Sequence, residues 1–159
     1  GVMSKSFALA GLRVGWLATH DADLLRRVAS YKDYTSICCS APSEVLSIVA
    51  LRARAAVLER SRGIVLDNLA RLDAFFREWR GVLEWVRPRA GSTAFPRLVP
   101  DSDVEAFAEA LREEEGVLVL PGTLMEYPGS RFRIGYGRTG MPAALDGLGR
   151  FLARRFGRP

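Results

Sequence analysis

The sequence predicts a mixed α/β chain in which the part after about residue 80 is a small α+β unit of its own. Three observations carry this. Val65, Leu69, Leu72, Phe76 and Trp79 follow one another at helical spacing, laying one apolar stripe along a helix. Short apolar runs of strand length alternate with helical stretches and are bounded by glycine or proline. Hydrophobic residues make up 48% of the 159 residues and charged residues 26%, enough apolar surface for a sizeable core.

Taken in order, residues 14–18 form an apolar run beside Gly11 and Gly15 and are expected to be a buried strand. His20 and Asp21 open a helix reaching about Tyr34, with Leu24, Leu25, Val28 and Tyr31 as its apolar positions. Residues 35–42 replace the periodic pattern with serine, cysteine and proline and read as a loop. Ser43 is the expected N-cap of a long helical region ending near Trp79, in which Gly63 marks a break or a bend. Residues 82–86 and 93–99 are strand candidates on either side of a turn at 88–91. Ser102 and Glu105 have capping-box spacing, opening a helix with Val104, Phe107 and Leu111 on one face and Gly116 as its stop. Residues 117–120 read as a buried strand, Pro121 and Gly122 as a turn, and residues 131–137 as another strand. Pro142 suits the first turn of a last helix with Leu145, Leu148, Leu152 and Phe156 inward.

Composition excludes several classes. A chain this apolar is not disordered throughout, and no apolar run approaches the ~18–20 residues of a membrane span. No signal-peptide layout is present. Cys38 and Cys39 are adjacent and close no useful loop, so a disulfide scaffold is excluded and a reducing, cytoplasmic setting is expected. No Cys/His spacing suggests zinc. The formal net charge of +5 raises nucleic-acid binding. Its distribution argues against that: Lys5 and Lys32 are the only lysines, and the arginines are scattered among 18 acidic residues. The one dense patch is Arg154, Arg155 and Arg158. Neither nucleic acid nor a membrane is expected as a partner.

Chemistry concentrates at the start, in residues 4–16. Lys5 lies between Ser4 and Ser6, with Arg13 eight residues on. The surroundings are small and apolar, and burial there would lower the lysine pKa by disfavouring the ammonium form. A neutral amine can attack a carbonyl and form a Schiff base. On composition alone an ordinary surface lysine competes with this reading.

The stretch resembles the lysine motif of the class I/II aminotransferases, fold-type I enzymes that use pyridoxal 5'-phosphate. The family form is roughly Ser-Lys-x-x-Gly-Leu-x-Gly-Leu-Arg-x-Gly. Ala8 stands where that form carries glycine, a replacement that fits if the backbone angle there is ordinary. The resemblance implies that Lys5 bonds the cofactor and then, as its freed amine, moves the proton between the substrate Cα and the cofactor. It implies Ser4 and Arg13 as cofactor phosphate ligands, with Ser6 a weaker candidate.

Two later segments extend the likeness. Residues 116–122 resemble the family's small-domain strand and turn. Residues 132–137 are similar to the strand whose arginine grips the substrate α-carboxylate, a task for a planar fork of donors. Strand alternation puts Arg131 and Arg133 on one face, so the residues alone leave both open. The family pattern, arginine directly before Ile-Gly, selects Arg133. Residues 88–95 resemble the family's Pro-x-Gly-Gly segment, with Ser92 replacing the second glycine. Residues 35–40 fall where members approach the neighbouring subunit's active site, which makes Ser36 and Ser40 minor candidates. His20, Cys38, Cys39, Trp79 and Trp85 read as structural.

The implied fold is the end of a PLP-dependent transferase-like large domain at 1–42, a connecting helical region at 43–80 and a small C-terminal α+β domain at 81–159. The implied activity is biosynthetic transfer of an amino group between an amino acid and a 2-oxo acid, in a homodimer. The likeness covers nearly the whole chain but only the C-terminal part of the family's length. The aspartate that pairs with the pyridine nitrogen and the residue that stacks on the ring are not identifiable, so the isolated chain is expected to be inactive. The rival readings are a lyase, cyclase or synthase using the same cofactor, and a non-catalytic association or basic binding module.

Overall fold

The computed structural model describes residues 1–100 and 102–157, so Arg158 of the arginine patch lies outside it. The chain divides into two compact units, Gly1–Arg62 and Gly63–Pro159.

In the first unit, Val2 and Gly15 form an antiparallel bridge, and a 3-10 turn, Ala10–Leu12, lies in the loop between them. Helix α1 (Ala22–Thr35) begins at Asp21, whose carboxylate accepts the Leu24 N–H at 2.9 Å. That bond satisfies one of the donors a helix start leaves unpaired. Helix α2 (Ala41–Arg52) packs beside the 3-10 turn. Helix α3 (Arg54–Glu78) starts after Ala53 and continues into the second unit. Met3, Ser47 and Ala50 are the buried residues here among those described. Leu24, Leu25, Val28 and Tyr31 are all exposed.

In the second unit the rest of α3 is followed by β1 (Leu83–Glu84), β2 (Thr93–Ala94), β3 (Arg97–Leu98), α4 (Val104–Glu115), β4 (Leu120–Pro121), β5 (Phe132–Gly135) and α5 (Met141–Phe156). Strands β2, β5 and β4 form an antiparallel sheet with β5 in the middle, and β1 pairs with β3. The core joins the α3 stripe of Leu69, Leu72 and Phe76 to residues of the sheet, α4 and α5. Phe107 meets Phe132 and Phe151 at ring-centroid distances of 5.5 and 5.4 Å. Trp79 is buried and Trp85 half-buried, as their structural reading expects.

The structure moves several elements. Residues 14–18 are not a buried strand; only Gly15 bridges, and Trp16 and Leu17 are exposed. A short run with one isolated bridge has too little ladder to become a strand. Ser40, not Ser43, is the N-cap residue of α2, without a side-chain cap hydrogen bond, and Pro42 occupies the helix's first turn. The helical break falls at Ala53, while Gly63 lies inside α3. Residues 93–99 split into β2 and β3 around Pro96, which has no N–H for a ladder. Asp103 rather than Ser102 caps α4, its carboxylate accepting the N–H groups of Glu105 and Ala106. Gly116 ends α4 in the left-handed region at φ 66°. Of residues 117–120 only Leu120 reaches the ladder, and Leu118 is exposed. Pro121 joins β4 instead of opening a turn, and Gly122 begins a second 3-10 turn. Phe156 at the end of α5 is exposed.

Candidate active site

The lysine segment is a loop closed at its neck. Gly1 and Trp16 exchange hydrogen bonds at 2.8 Å, and the Met3 N–H donates to the Val14 carbonyl at 3.0 Å. Gly15 is required there, because a Cβ would stand 2.9 Å from the Gly1 carbonyl oxygen. Inside the loop the Ala8 N–H turns back to the Lys5 carbonyl at 2.9 Å, and the Leu9 N–H reaches the Met3 carbonyl at 3.0 Å. The 3-10 turn then delivers Arg13 back to the neck.

Lys5 and Arg13 therefore leave the same loop close to its closing hydrogen bonds. Arg13 donates from Nη1 to the Ala10 carbonyl at 3.2 Å, which holds the guanidinium near its own turn and leaves its other donors open. Neither cation is ion-paired with a described carboxylate. Two basic side chains without a described carboxylate partner make this short loop locally positive. Ser4 is half-buried beside Lys5, and Ser6 is exposed.

Two local conformations differ from expectation. Lys5 is exposed, so the burial expected of it is absent; the small residues around it leave it uncovered, and Met3 is the buried residue of this segment. Ala8 has φ 55°, in the left-handed region, so its backbone angle is not ordinary and a glycine would sit there without strain. Arg13 also has φ 55°, a strained setting of the kind that concentrates at functional sites.

The other expected residue lies in the second unit. Arg133 stands on β5 opposite Leu120 and is exposed, and its guanidinium makes no hydrogen bond or ion pair with a described residue. Arg131, which precedes the strand, is half-buried and donates to the Phe95 carbonyl at 3.2 Å, with its guanidinium 6.0 Å from the Tyr127 ring. The free fork is Arg133. Ser92 accepts the Tyr136 N–H at 2.8 Å through its carbonyl, and its side chain lies against Gly137. Ser36 ends α1 and Ser40 begins α2, both in capping positions.

Asn68 was not singled out by sequence. It is buried on α3, and its side-chain amide donates to the carbonyls of Tyr136 and Arg138, just beyond β5. The available signal was a lone amide beside the apolar stripe of Val65, Leu69 and Leu72.

No described helix is long and apolar enough to cross a membrane. The family model for aminotransferase class I and II matches residues 1–146. Capreomycidine synthase of Streptomyces vinaceus is 32% identical over 136 residues, covering 86% of this chain and 34% of that protein. The solved PLP-dependent aminotransferase from Streptococcus suis is 34% identical with a TM-score of 0.88, over 99% of this chain and 42% of its own. The solved PLP-dependent cyclase OrfR is 31% identical with a TM-score of 0.86, over 96% of this chain and 42% of its own. The chain thus spans 34–42% of the length of these relatives, and its α/β architecture is the one they share.

Proposed function

The chain belongs to the class I and II aminotransferase family, and from that premise we propose that it is part of an enzyme transferring an amino group between an amino acid and a 2-oxo acid. Its cofactor is pyridoxal 5'-phosphate. The donor set of the 4–13 loop suits that group: an amine for its aldehyde, and a hydroxyl and a guanidinium for its phosphate. When bound, the cofactor supplies an electron sink for the bond broken at the substrate Cα.

In this reading Lys5 anchors the cofactor through its aldehyde and, once released, takes and returns the proton at Cα. Ser4 and Arg13 hold the phosphate. Arg133 takes the substrate α-carboxylate, which fixes where Cα is presented. Residues 1–42 end the large cofactor-binding domain, 43–80 connect, and 81–159 form the small domain, in a homodimeric biosynthetic enzyme. The free cysteines, Cys38 and Cys39, accord with a cytoplasmic setting. Turnover belongs to the longer parent, because the chain spans 42% or less of the matched lengths.

The observation that carries the reading is the placement of Lys5 and Arg13 on one loop closed by the Met3–Val14 hydrogen bond. Borohydride reduction of the cofactor-treated chain, followed by peptide mass analysis, tests it. A cofactor adduct on the Lys5 peptide, lost in Lys5→Ala, is the expected result. An adduct confined to Lys32 or the N-terminus overturns it.

A synthase or cyclase reading has its own support, since relatives with 31% and 32% identity are a cyclase and a synthase. Product analysis of the parent enzyme with a panel of amino acids separates the two. Amino-group transfer yields 2-oxo acids, whereas cyclisation retains the amino acid carbon skeleton in a ring.

A further inference from the structure

We propose that the second unit carries an anion site for a diphosphate group, in the hollow between the end of α3, β1 and the residue before β5. Its volume is about 450 Å³, and Phe76, Arg77, Arg80, Leu83, Trp85 and Arg131 supply most of its lining. Its lining includes neither Arg13 nor Arg133.

The hollow has an apolar floor. Phe76 and Leu83 are buried, and Trp85 stacks on Phe76 with ring centroids 4.5 Å apart and planes 13° from parallel. Its walls are cationic. Arg77 leaves the last turn of α3, Arg80 follows two residues beyond the helix, and Arg131 comes from just before β5.

The charge balance identifies the ligand class. Two carboxylates also line the hollow, Asp73 and Glu84. Each is paired through one oxygen with an arginine outside the lining: Arg87 Nε lies 2.7 Å from Asp73 Oδ2, and Arg97 Nη2 lies 2.7 Å from Glu84 Oε2. The side chains of Arg77 and Arg80 make no hydrogen bond or ion pair with a described residue. Arg131 commits Nη1 to the Phe95 carbonyl and keeps the rest of its fork. The negative C-terminal end of α3 accounts for one cation in its last turn, Arg77. It does not account for Arg80 or Arg131, which line the same concavity.

Guanidinium forks match the oxygens of a phosphate, and several of them together favour a multiply charged anion over chloride. The volume falls within the roughly 300–1,000 Å³ range of small-molecule sites. The floor is suited to the apolar part of whatever bears the diphosphate.

Calorimetric titration of the chain with inorganic pyrophosphate, at matched ionic strength, tests the assignment. In an Arg13→Gln background, which removes the phosphate contact proposed for the cofactor loop, saturable one-to-one binding is expected, weakened roughly tenfold or more when Arg77→Gln and Arg80→Gln are added. Arg71→Gln, on the same helix but outside the hollow, should leave that binding intact. These arginines are exposed, so the variants keep the fold, and melting curves verify it. The proposal is overturned by absence of saturable binding in that background or by equal weakening in Arg71→Gln. Binding by the natural chain that Arg13→Gln abolishes would place the anion on the cofactor loop and leave the function proposed for that loop standing.

Discussion

The side-chain amide of Asn68 donates to the Tyr136 carbonyl at 2.9 Å, and its other hydrogen goes to the Arg138 carbonyl at 2.7 Å. Asn68 is 3% exposed, so both bonds start from a group removed from water. The carbonyls lie directly after β5, whose middle carries Arg133. A buried amide on α3 therefore pins the exit of the strand that presents the free guanidinium.

Asn68→Ala leaves the buried Tyr136 carbonyl without its partner. Stability should fall by about 2 kcal/mol, the usual cost of an orphaned buried acceptor together with the lost bonds. Urea denaturation should show a lower midpoint at unchanged slope. An unaltered midpoint would remove Asn68 from this role.

Sequence made the locally determined parts of this fold legible. Asp21 caps α1, Gly116 stops α4 and Pro142 opens α5 as expected, because each acts through its own backbone within one turn. Where two similar caps stand close together, as Ser102 beside Asp103 or Ser40 near Ser43, pattern alone does not choose between them. Long-range pairing was less legible. Residues 93–99 divide at Pro96 because β2 belongs with β5 and β3 with β1, partners that no local window contains. The Asn68 bonds span 68 and 70 residues, with the same consequence. For the proposed site, the motifs in the sequence are what single out Lys5, Arg13 and Arg133. Which of Arg131 and Arg133 is unencumbered became visible only once the Phe95 carbonyl was in place.

Arg133→Lys keeps the charge and loses the fork. In the parent enzyme it should weaken binding of amino acid and 2-oxo acid about 10–100-fold, the worth of one charge-assisted contact. The melting temperature should hardly move, since the guanidinium has no described partner to lose. Arg131→Lys should do the reverse, costing about 1 kcal/mol through the Phe95 bond with little change in substrate binding. Spectral titrations and melts of both variants check the contrast, and weaker substrate binding in Arg131→Lys alone would exchange the two roles.

Acid should loosen the second unit through Glu115. Hydrogen bonds from Arg150, then from Arg154, hold its carboxyl below the ordinary value, and its side chain is 7% exposed. A lowered folded-state value means that the contribution is complete above the ordinary carboxylate range and drains away as pH falls through the lowered one. Glu115→Gln should therefore be less stable than the natural chain at neutral pH, and the gap should close on acidification. Denaturation curves at a series of pH values read this directly; a gap that widens in acid contradicts it.

Ala8 is the one departure from the lysine motif, and its φ of 55° makes that departure costly. An L-residue with a Cβ in the left-handed region is disfavoured by about 1–2 kcal/mol, partly offset by the greater freedom glycine has when unfolded. Ala8→Gly should thus stabilise the loop by roughly 0.5–1 kcal/mol. The effect should appear locally, because the Ala8 N–H closes on the Lys5 carbonyl and the next N–H, of Leu9, closes on Met3. Amide exchange at Ala8 and Leu9 should slow by the corresponding few-fold, with Leu72 and Leu111 in the second unit unchanged. Slower exchange there would mean a loop held more firmly around Lys5 and Arg13. Unchanged or faster exchange would show that the loop relieves the alanine by another route, and that its left-handed angle is not what strains the neck.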